Sequence, residues 1–318
     1  MDRRRPPRFC FPPTRKIRQN GVRATLGVVA LFIRPQPKVS FMTVLPASCT
    51  QIAVPDPPEV SAANPVHDES ATGYGYAGGI VAGIHTYGWM TPAILESVGE
   101  SWLSHGWCDF QLPRPVYAGD ELVTEVVPSP QNSDVGLITQ KVAADGRVTI
   151  QGTIGLGDAP WKDEFSLPRD RVAVPEAEER PFLGLNETPT DLDYPPMSVP
   201  LRAEDARTWM RERIHDDDAM WSEGDQPLTH PSWLLGQMTP LIRHSYRMPA
   251  GVHASGRVQH LQTFRADGDV TVAGKWGAVE VKKGKPWSTT DAVFIDTHGR
   301  EVALVRQVAV ILPRLPET

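Results

Sequence analysis

The sequence predicts an α+β fold of two similar units, in each of which a long helix is followed by an antiparallel sheet that curves around it. In both halves, apolar residues spaced by three or four precede runs of alternating strand residues. A sheet with one apolar face must cover that face, so each sheet is expected to curl over its helix. Two such units side by side form a pseudo-dimer within one chain. Landmarks recur at an offset of roughly 150 residues, as in a diverged duplication: Leu112 and Gly119-Asp120 correspond to Leu261 and Gly268-Asp269.

Composition and charge limit the classes of function. The chain has 318 residues, a formal net charge of −6 and 40% hydrophobic residues, which indicates a packed globular protein rather than one that binds nucleic acid. Cys10, Cys49 and Cys108 lie too far apart for a zinc site or a disulfide framework, and this favours a reducing, cytoplasmic location. No apolar run approaches the roughly 18–20 residues of a membrane span.

Residues 1–41 differ in composition from the rest of the chain. They contain ten Arg or Lys residues and a single acid, Asp2, around one short apolar run at 24–33. The run has the length of a signal-peptide core but is not closely followed by a cleavage site, and the Arg-rich composition is also typical of transit peptides. The break in composition near Met42 favours a third interpretation, a basic and disordered extension that precedes the true initiator.

The first unit is predicted to span residues 50–160. A turn-rich lead-in over 50–76 precedes a long helix over 78–104, which Pro92 is expected to kink. Alternating apolar residues and the Asp145-Gly146 hairpin signal predict the strands that follow. These strands are placed at 108–112, 121–127, 137–143 and 148–156.

A proline-rich segment over 161–200 is predicted to link this unit to a second, degenerate unit over 201–315. Thr229 is a suitable N-cap and Pro231 a suitable first-turn proline for the second long helix. Strands follow again, with the His298-Gly299 turn before the last one. They are placed at 256–264, 270–281, 288–296 and 302–312.

One stretch carries most of the polar chemistry. The sequence Asn64-Pro65-Val66-His67-Asp68-Glu69 places a histidine and two acids at a turn, because proline fixes its own φ and keeps the preceding residue out of the α region. Gly78-Gly79 and Gly83 follow in a segment rich in small residues, which lets a ligand or another backbone approach closely. We expect this stretch to form the floor of a reactive site.

These motifs resemble those of the MaoC-like, (R)-specific enoyl-CoA hydratase family. Its members carry an Asp-x-Asn-Pro-apolar-His motif, a Gly-aromatic step, an Ile-small-His-Gly-apolar helix and a later Phe-x-x-Pro-Val-x-x-Gly-Asp turn. The matching residues here are Asn64-Pro65-Val66-His67, Gly73-Tyr74, Ile80-Val81-Ala82-Gly83-Ile84, and Phe110 with 114–122. The resemblance covers 55–157 well and 200–313 more weakly, and it implies a tandem (double) hot-dog fold.

In the mechanism that the resemblance implies, an acid and a histidine hold and deprotonate a water that adds to an enoyl thioester, while a backbone N–H polarises the thioester carbonyl. His67 is then the base, with Asn64 fixing the turn beside it. Asp68 is a candidate acid, and Gly83 supplies the N–H. The substrate is expected to lie against Tyr74, Gly78, Gly79, Ile80 and Ala82.

Two positions depart from the family pattern. Ala62 stands where the family has its catalytic Asp, and Ala82 stands where the family helix has a histidine. Asp68, Glu69 and Asp56 all stay open as replacements for the missing acid, because spacing along the chain does not decide between them.

The predicted function is therefore a hydratase or dehydratase of an enoyl or 3-hydroxyacyl thioester, namely an acyl-CoA. It needs no metal and no cofactor beyond the coenzyme A of its substrate. One alternative is a hot-dog thioesterase, in which Asp68 or Glu69 directs water at the thioester carbon. The other is a non-catalytic acyl-binding subunit. A homodimer, or a hetero-complex with an active homologue, is compatible with the internal pseudo-dimer.

Overall fold

A computed structural model describes residues 43–182, 191–248, 250–282 and 284–313. Within these residues the centre of the protein is one antiparallel sheet of eleven strands. The strands are β1 (Ala47–Ile52), β2 (Gly106–Gln111), β3 (Glu121–Pro128), β4 (Val135–Val142), β5 (Val148–Leu156), β6 (Leu192–Asp193), β7 (Met197–Leu201), β8 (Ala250–His260), β9 (Gly268–Lys282), β10 (Lys285–Ile295) and β11 (Glu301–Leu312).

The strand order has an internal pseudo-symmetry. The first half runs β1-β3-β4-β5-β2, and the second half runs β8-β11-β10-β9 with both β6 and β7 paired to β9. The halves join where β2 pairs with β8, so that Cys108 lies opposite Val258. Each half therefore ends at a short outer strand, β1 or β7, and the two meet at equivalent strands. This is the duplicated helix-and-sheet architecture that the sequence predicts.

Short helices take the place of the predicted long ones. Those of the first half are α1 (Pro58–Ala63), α2 (Gly83–Gly88), α3 (Thr91–Val98) and α4 (Trp102–His105). Those of the second half are α5 (Ala203–Trp209), which continues as a π-helix over Met210–Ile214, α6 (Ala219–Ser222), α7 (Pro231–Gly236) and α8 (Met238–Ser245). The helix α3 contacts β1, β3 and β5, and α2 packs against α7 of the other half.

The prediction of one helix over 78–104 was wrong at its start and in its continuity. Ile80 and Val81 are extended, because their N–H groups donate to the carbonyls of Val66 and Val116. Gly79 lies so close to the His67 carbonyl that a Cβ would stand 2.8 Å from the oxygen. The helical region then breaks before Thr91, where Pro92 falls in the first turn of α3 and replaces an N–H that the helix could not use.

The predicted strands are all present, but the sequence missed three others. The strand β1 overlaps the start of the segment predicted as an extended, turn-rich lead-in, and β6 and β7 lie in the segment predicted as a linker. The strand β8 begins at Ala250 rather than at 256. These segments are polar or proline-rich, and they are extended because neighbouring strands supply their hydrogen-bond partners. The strand β1 pairs with β3, both β6 and β7 pair with β9, and β8 pairs with β2 and β11.

Aromatic side chains fill the space between the sheet and the helices. Trp102, Tyr87 and Phe110 are fully buried in the first half, and Trp276 and Phe294 in the second. Each buried aromatic side chain removes about 150–250 Å² from water, so these residues dominate the core. In the described part of the chain, no helix combines the length and the apolar character needed to cross a membrane.

Candidate active site

Three segments of the first half meet where α2 begins. Asp56 lies in the extended chain before α1, His67 ends a short 3₁₀ turn over Pro65–His67, and His85 lies inside α2. The Asn-Pro pair fixes the 3₁₀ turn, in which the His67 N–H donates to the Asn64 carbonyl at 3.0 Å. The turn and the helix thus bring two imidazoles to one carboxylate.

The Asp56 carboxylate is surrounded by hydrogen-bond donors. Its Oδ1 accepts from His85 Nδ1 at 2.6 Å. Its Oδ2 accepts from the Ala82 N–H at 2.9 Å and lies 3.1 Å from His67 Nδ1. Only 1% of the side chain is exposed. A buried carboxylate with several donors is held in one orientation and stays ionised.

The electrostatics of the group follow from this geometry. Burial acts to raise the pKa of Asp56, but the hydrogen bonds from His67 and His85 and the attraction to both rings outweigh it, and the pKa falls to about 2. Burial lowers the pKa of His85, although its hydrogen bond to Asp56 opposes that shift. At neutral pH the pair is therefore an anionic Asp56 and a neutral His85, which avoids burying a second charge.

The hydrogen bonds of His67 fix its tautomer. Its Nδ1 lies 2.7 Å from the Ile80 carbonyl, which can only accept, so Nδ1 carries the proton in the neutral ring. The lone pair is then on Nε2, 3.3 Å from the amide nitrogen of Asn64. That amide also donates to the Gly251 carbonyl at 2.8 Å, which anchors the turn on β8 of the second half.

His67 lines a cavity of about 590 Å³ that is formed by both halves of the protein. The size is that of a small-molecule site. The walls are mostly apolar, with three arginines among them, of which Arg213 is paired with Glu59 at 2.8 Å. Lining residues from the second half include Trp209, Arg213, Leu235, Gln237, Pro240, Ile242, Arg243, Met248, His253 and Gln307, and those from the first half include Asn64, Tyr76, Ile80, Ala82, Gly83, Leu112 and Arg114.

The start of α2 lies directly on this cavity. Gly83 is its first residue, and the first N–H groups of a helix have no acceptor within the helix. A Cβ at Gly83 would stand 3.2 Å from both Leu112 Cδ1 and His253 Cβ, so the glycine keeps the space before the helix open. The backbone here can therefore donate to a carbonyl oxygen of a ligand that reaches His67.

The structure brings some of the predicted site residues together and leaves others apart. His67, Asn64, Gly83, Ile80 and Ala82 all line the cavity. Four predicted site residues do not line the cavity, and their predicted roles stay predictions: Asp68, Tyr74, Gly78 and Gly79. Asp68 instead accepts a hydrogen bond from the Ser70 N–H at 2.7 Å and so caps the next turn.

Sequence reasoning left one functional candidate undecided and missed another. Asp56 was one of three acids left open, and it is the one that lies beside His67. His85 was not considered, although it lies about one helical turn beyond Ala82, the position compared with the family histidine. An acid between Pro55 and Pro57, in a chain segment that leads into the core, was the available signal for Asp56.

The histidines of the second half form no comparable group. Burial lowers the pKa of His230 and of His260 to about 3, and that of His253 to about 4, so all three are neutral. Across residues 43–313, leaving out the few positions that the structure does not describe, no group of three or more His, Cys, Asp or Glu side chains could hold a metal ion.

Comparison with known proteins identifies the fold. No protein-family model matches the sequence, and a search of curated proteins found no match. A solved structure named as a MaoC-like dehydratase is 16% identical, with a TM-score of 0.53 over 86% of this chain and 99% of the other. A MaoC domain protein from Chloroflexus aurantiacus J-10-fl, also named as a dehydratase, is 11% identical, with a TM-score of 0.53 over 86% and 96%.

A conserved hypothetical protein from Mycobacterium tuberculosis, described as having a double hotdog fold, is 13% identical, with a TM-score of 0.48 over 84% of this chain and 96% of the other. The two higher-scoring similarities confirm the prediction of a double hot-dog, α+β fold. This chain therefore shares its fold with MaoC-like dehydratases.

Proposed function

We propose that the protein is a hydratase or dehydratase of enoyl or 3-hydroxyacyl thioesters, in which His67 is the general base. The observation that carries the proposal is the His67–Asp56 pair at the cavity. His67 presents a lone pair on Nε2, while its Nδ1 lies 3.1 Å from a buried, ionised carboxylate. Such a carboxylate stabilises the imidazolium that forms when the ring takes a proton.

The chemistry needs only the residues already described. His67 Nε2 takes a proton from water as the water oxygen bonds to C3 of the enoyl thioester. Negative charge then moves to the thioester oxygen, where the N–H of Gly83 is positioned to receive it. Return of the proton from His67 to C2 completes the addition, with no net change in protons. Dehydration is the same sequence in reverse.

Asp56 supports this function over the non-catalytic alternative. That alternative rests on Ala62, which stands where the resembled family has its acid. Ala62 is exposed on α1, whereas Asp56 supplies a carboxylate to His67 from another part of the chain. The loss of the acid at one position is therefore compensated at another.

The thioesterase alternative finds less support in the geometry. It requires Asp68 or Glu69 to direct water at the thioester carbon, and neither lines the cavity. The Asp56 oxygens accept hydrogen bonds from Ala82 and His85, and Oδ2 faces His67 Nδ1 at 3.1 Å, so the carboxylate is poorly placed to activate water itself. The two solved structures with the higher scores are both named as dehydratases, which agrees with hydration.

Arginines support coenzyme A as the carrier of the acyl group. Arg114 and Arg243 line the cavity, and Arg114 is exposed at its edge. Guanidinium groups bind phosphate oxygens in a bidentate manner, which suits the phosphates of coenzyme A. The acyl group would then lie against the apolar wall that the second half provides.

One assay tests the proposal. The full-length protein is mixed with a series of enoyl-CoA esters, and the loss of enone absorbance and the release of free thiol are followed together. We expect absorbance loss without thiol, and His67→Ala should reduce that rate by at least about a hundredfold. His105→Ala, which changes an exposed histidine outside the cavity lining, is the matched control and should keep the rate.

Thiol release at the same rate as absorbance loss would support the thioesterase instead. An unchanged rate in His67→Ala would remove His67 from the mechanism. Inactivity toward short, long and branched acyl chains alike would contradict both enzymatic functions.

A further inference from the structure

We propose that His85 is a positioning residue that holds the Asp56 carboxylate in the orientation in which it faces His67. The inference rests on the proposed role of His67 as the base, but it concerns a residue outside the family-like motifs. His85 does not line the cavity, so it acts on the reaction only through Asp56.

The first argument is geometric. Asp56 accepts two hydrogen bonds from the first turn of α2 and the residue before it. The Ala82 N–H donates to Oδ2, and the His85 Nδ1–H donates to Oδ1. One donor on each oxygen prevents rotation of the carboxylate. Oδ2 is therefore held 3.1 Å from His67 Nδ1, where it orients the ring.

The second argument is the way His85 itself is fixed. Its ring lies between the indoles of Trp89 and Trp209, at centroid distances of 6.4 and 6.3 Å, and its side chain is 1% exposed. Its Nε2 is buried without a hydrogen-bond partner among the described residues. The ionised Asp56 carboxylate can only accept a hydrogen bond, so the neutral ring carries its proton on Nδ1.

The third argument is that the orientation of Asp56 matters to the reaction. When His67 takes a proton, the imidazolium is stabilised by a carboxylate oxygen that stays close to Nδ1. Without the His85 donor the carboxylate can turn away from His67, and the barrier to proton transfer rises.

Other charged groups near the pair stay constant in this comparison. From the π-helix, Arg213 lowers the pKa of His85, and Arg213 is itself paired with Glu59 of α1. From β8, His253 faces the start of α2, but burial keeps it neutral. His85 is neutral as well, so replacing it by a neutral side chain removes a hydrogen bond and no charge.

The test compares His85→Leu with His85→Asn in the full-length protein. Asn and Leu have similar shapes, but only the Asn amide can donate from the position of Nδ1. Two properties are measured: kcat/KM with the enoyl-CoA ester that the wild type hydrates best, and the NMR chemical shift of the His67 Nδ1 proton, which depends on the nearby Asp56 oxygen. We expect kcat/KM to fall about tenfold or more and the proton signal to shift in His85→Leu, and both to return close to the wild-type values in His85→Asn.

A wild-type NMR signal in His85→Leu, or equal effects in the two variants, would overturn the proposal. The NMR signal does not depend on turnover, so it separates this inference from the proposed function. An inactive protein with the expected NMR signals would reject hydration and keep the positioning role of His85. If His85→Leu does not fold, as judged by near-UV circular dichroism, His85→Met takes its place as the variant without a donor.

Discussion

Asp56→Asn is the change that tests the site most directly. It keeps the shape of the side chain and removes the charge. The carboxylate oxygen lies 3.1 Å from His67 Nδ1. At that distance, two unit charges attract each other by about 5 kcal/mol if the effective dielectric constant is about 20. An amide dipole recovers part of this, so we expect the barrier to rise by about 3–5 kcal/mol, or about 10²- to 10⁴-fold in kcat/KM.

The same substitution should also lower stability. The pKa of Asp56 falls from an ordinary value of 3.8 to about 2, which corresponds to about 2 kcal/mol of preference for the ionised form in the folded protein. That contribution is present above pH 3.8 and is lost as the pH falls toward 2. An amide can also accept at one atom only, so its NH₂ group must face either His85 or the side shared by His67 and Ala82. Ala82 and His85 donate to Asp56 now, and His67 Nδ1 lies 3.1 Å from it.

Two measurements check this prediction. The rate of enoyl-CoA hydration gives the effect on the barrier, and urea unfolding at neutral pH gives the change in stability. Asp68→Asn is the matched control, because that acid belongs to the same motif but does not line the cavity. Asp56→Asn with more than a third of the wild-type rate, or an equal loss in Asp68→Asn, would refute the reasoning.

Two further predictions concern the cavity and the second half. Gly83→Ala places a Cβ 3.2 Å from Leu112 and His253, in front of the start of α2. We expect kcat/KM to fall about tenfold, with little change in melting temperature. An unchanged kcat/KM would mean that the substrate does not reach this helix. Burial lowers the pKa of His260 from 6.5 to about 3. Between these pH values the unfolded chain binds a proton that the folded protein does not. Stability therefore falls on acidification by about 1.4 kcal/mol per pH unit in this range. His260→Leu should reduce the difference in unfolding free energy between pH 7 and pH 5, and an equal difference in both proteins would contradict this origin.

The sheet was largely predictable from the sequence, because its signals are local. The alternating buried residues of β3 and β4 face a core whatever their neighbours are. The strands β1 and β7 carry weak signals, and a proline lies within β7. They are extended because an outer strand of each half has hydrogen bonds to offer them, which is a property of the assembled sheet.

The cavity was less predictable than the sheet. Sequence reasoning found the N-terminal part of its lining, from Asn64 to Gly83. The opposite wall comes from the second half, and Trp209 belongs to it through α5, for which no helix was predicted. Because α2 and α7 pack together but lie in different halves of the chain, no periodicity in one segment indicates which residues face the other.

The position of the acid shows why a motif can identify a base and still misplace its partner. In the resembled family the acid is expected at 62, but here residue 62 lies on the exposed side of α1, where a carboxylate would be hydrated. Asp56 precedes that helix and is buried, with donors from the 3₁₀ turn and from α2. What the chemistry requires is a desolvated carboxylate at His67 Nδ1, and any segment that reaches this point can supply it. Asp56 lies in an extended segment outside any helix or strand, so its orientation is fixed by donors from elsewhere: the Ala82 N–H at the start of α2 holds one carboxylate oxygen, and His85 within α2 holds the other.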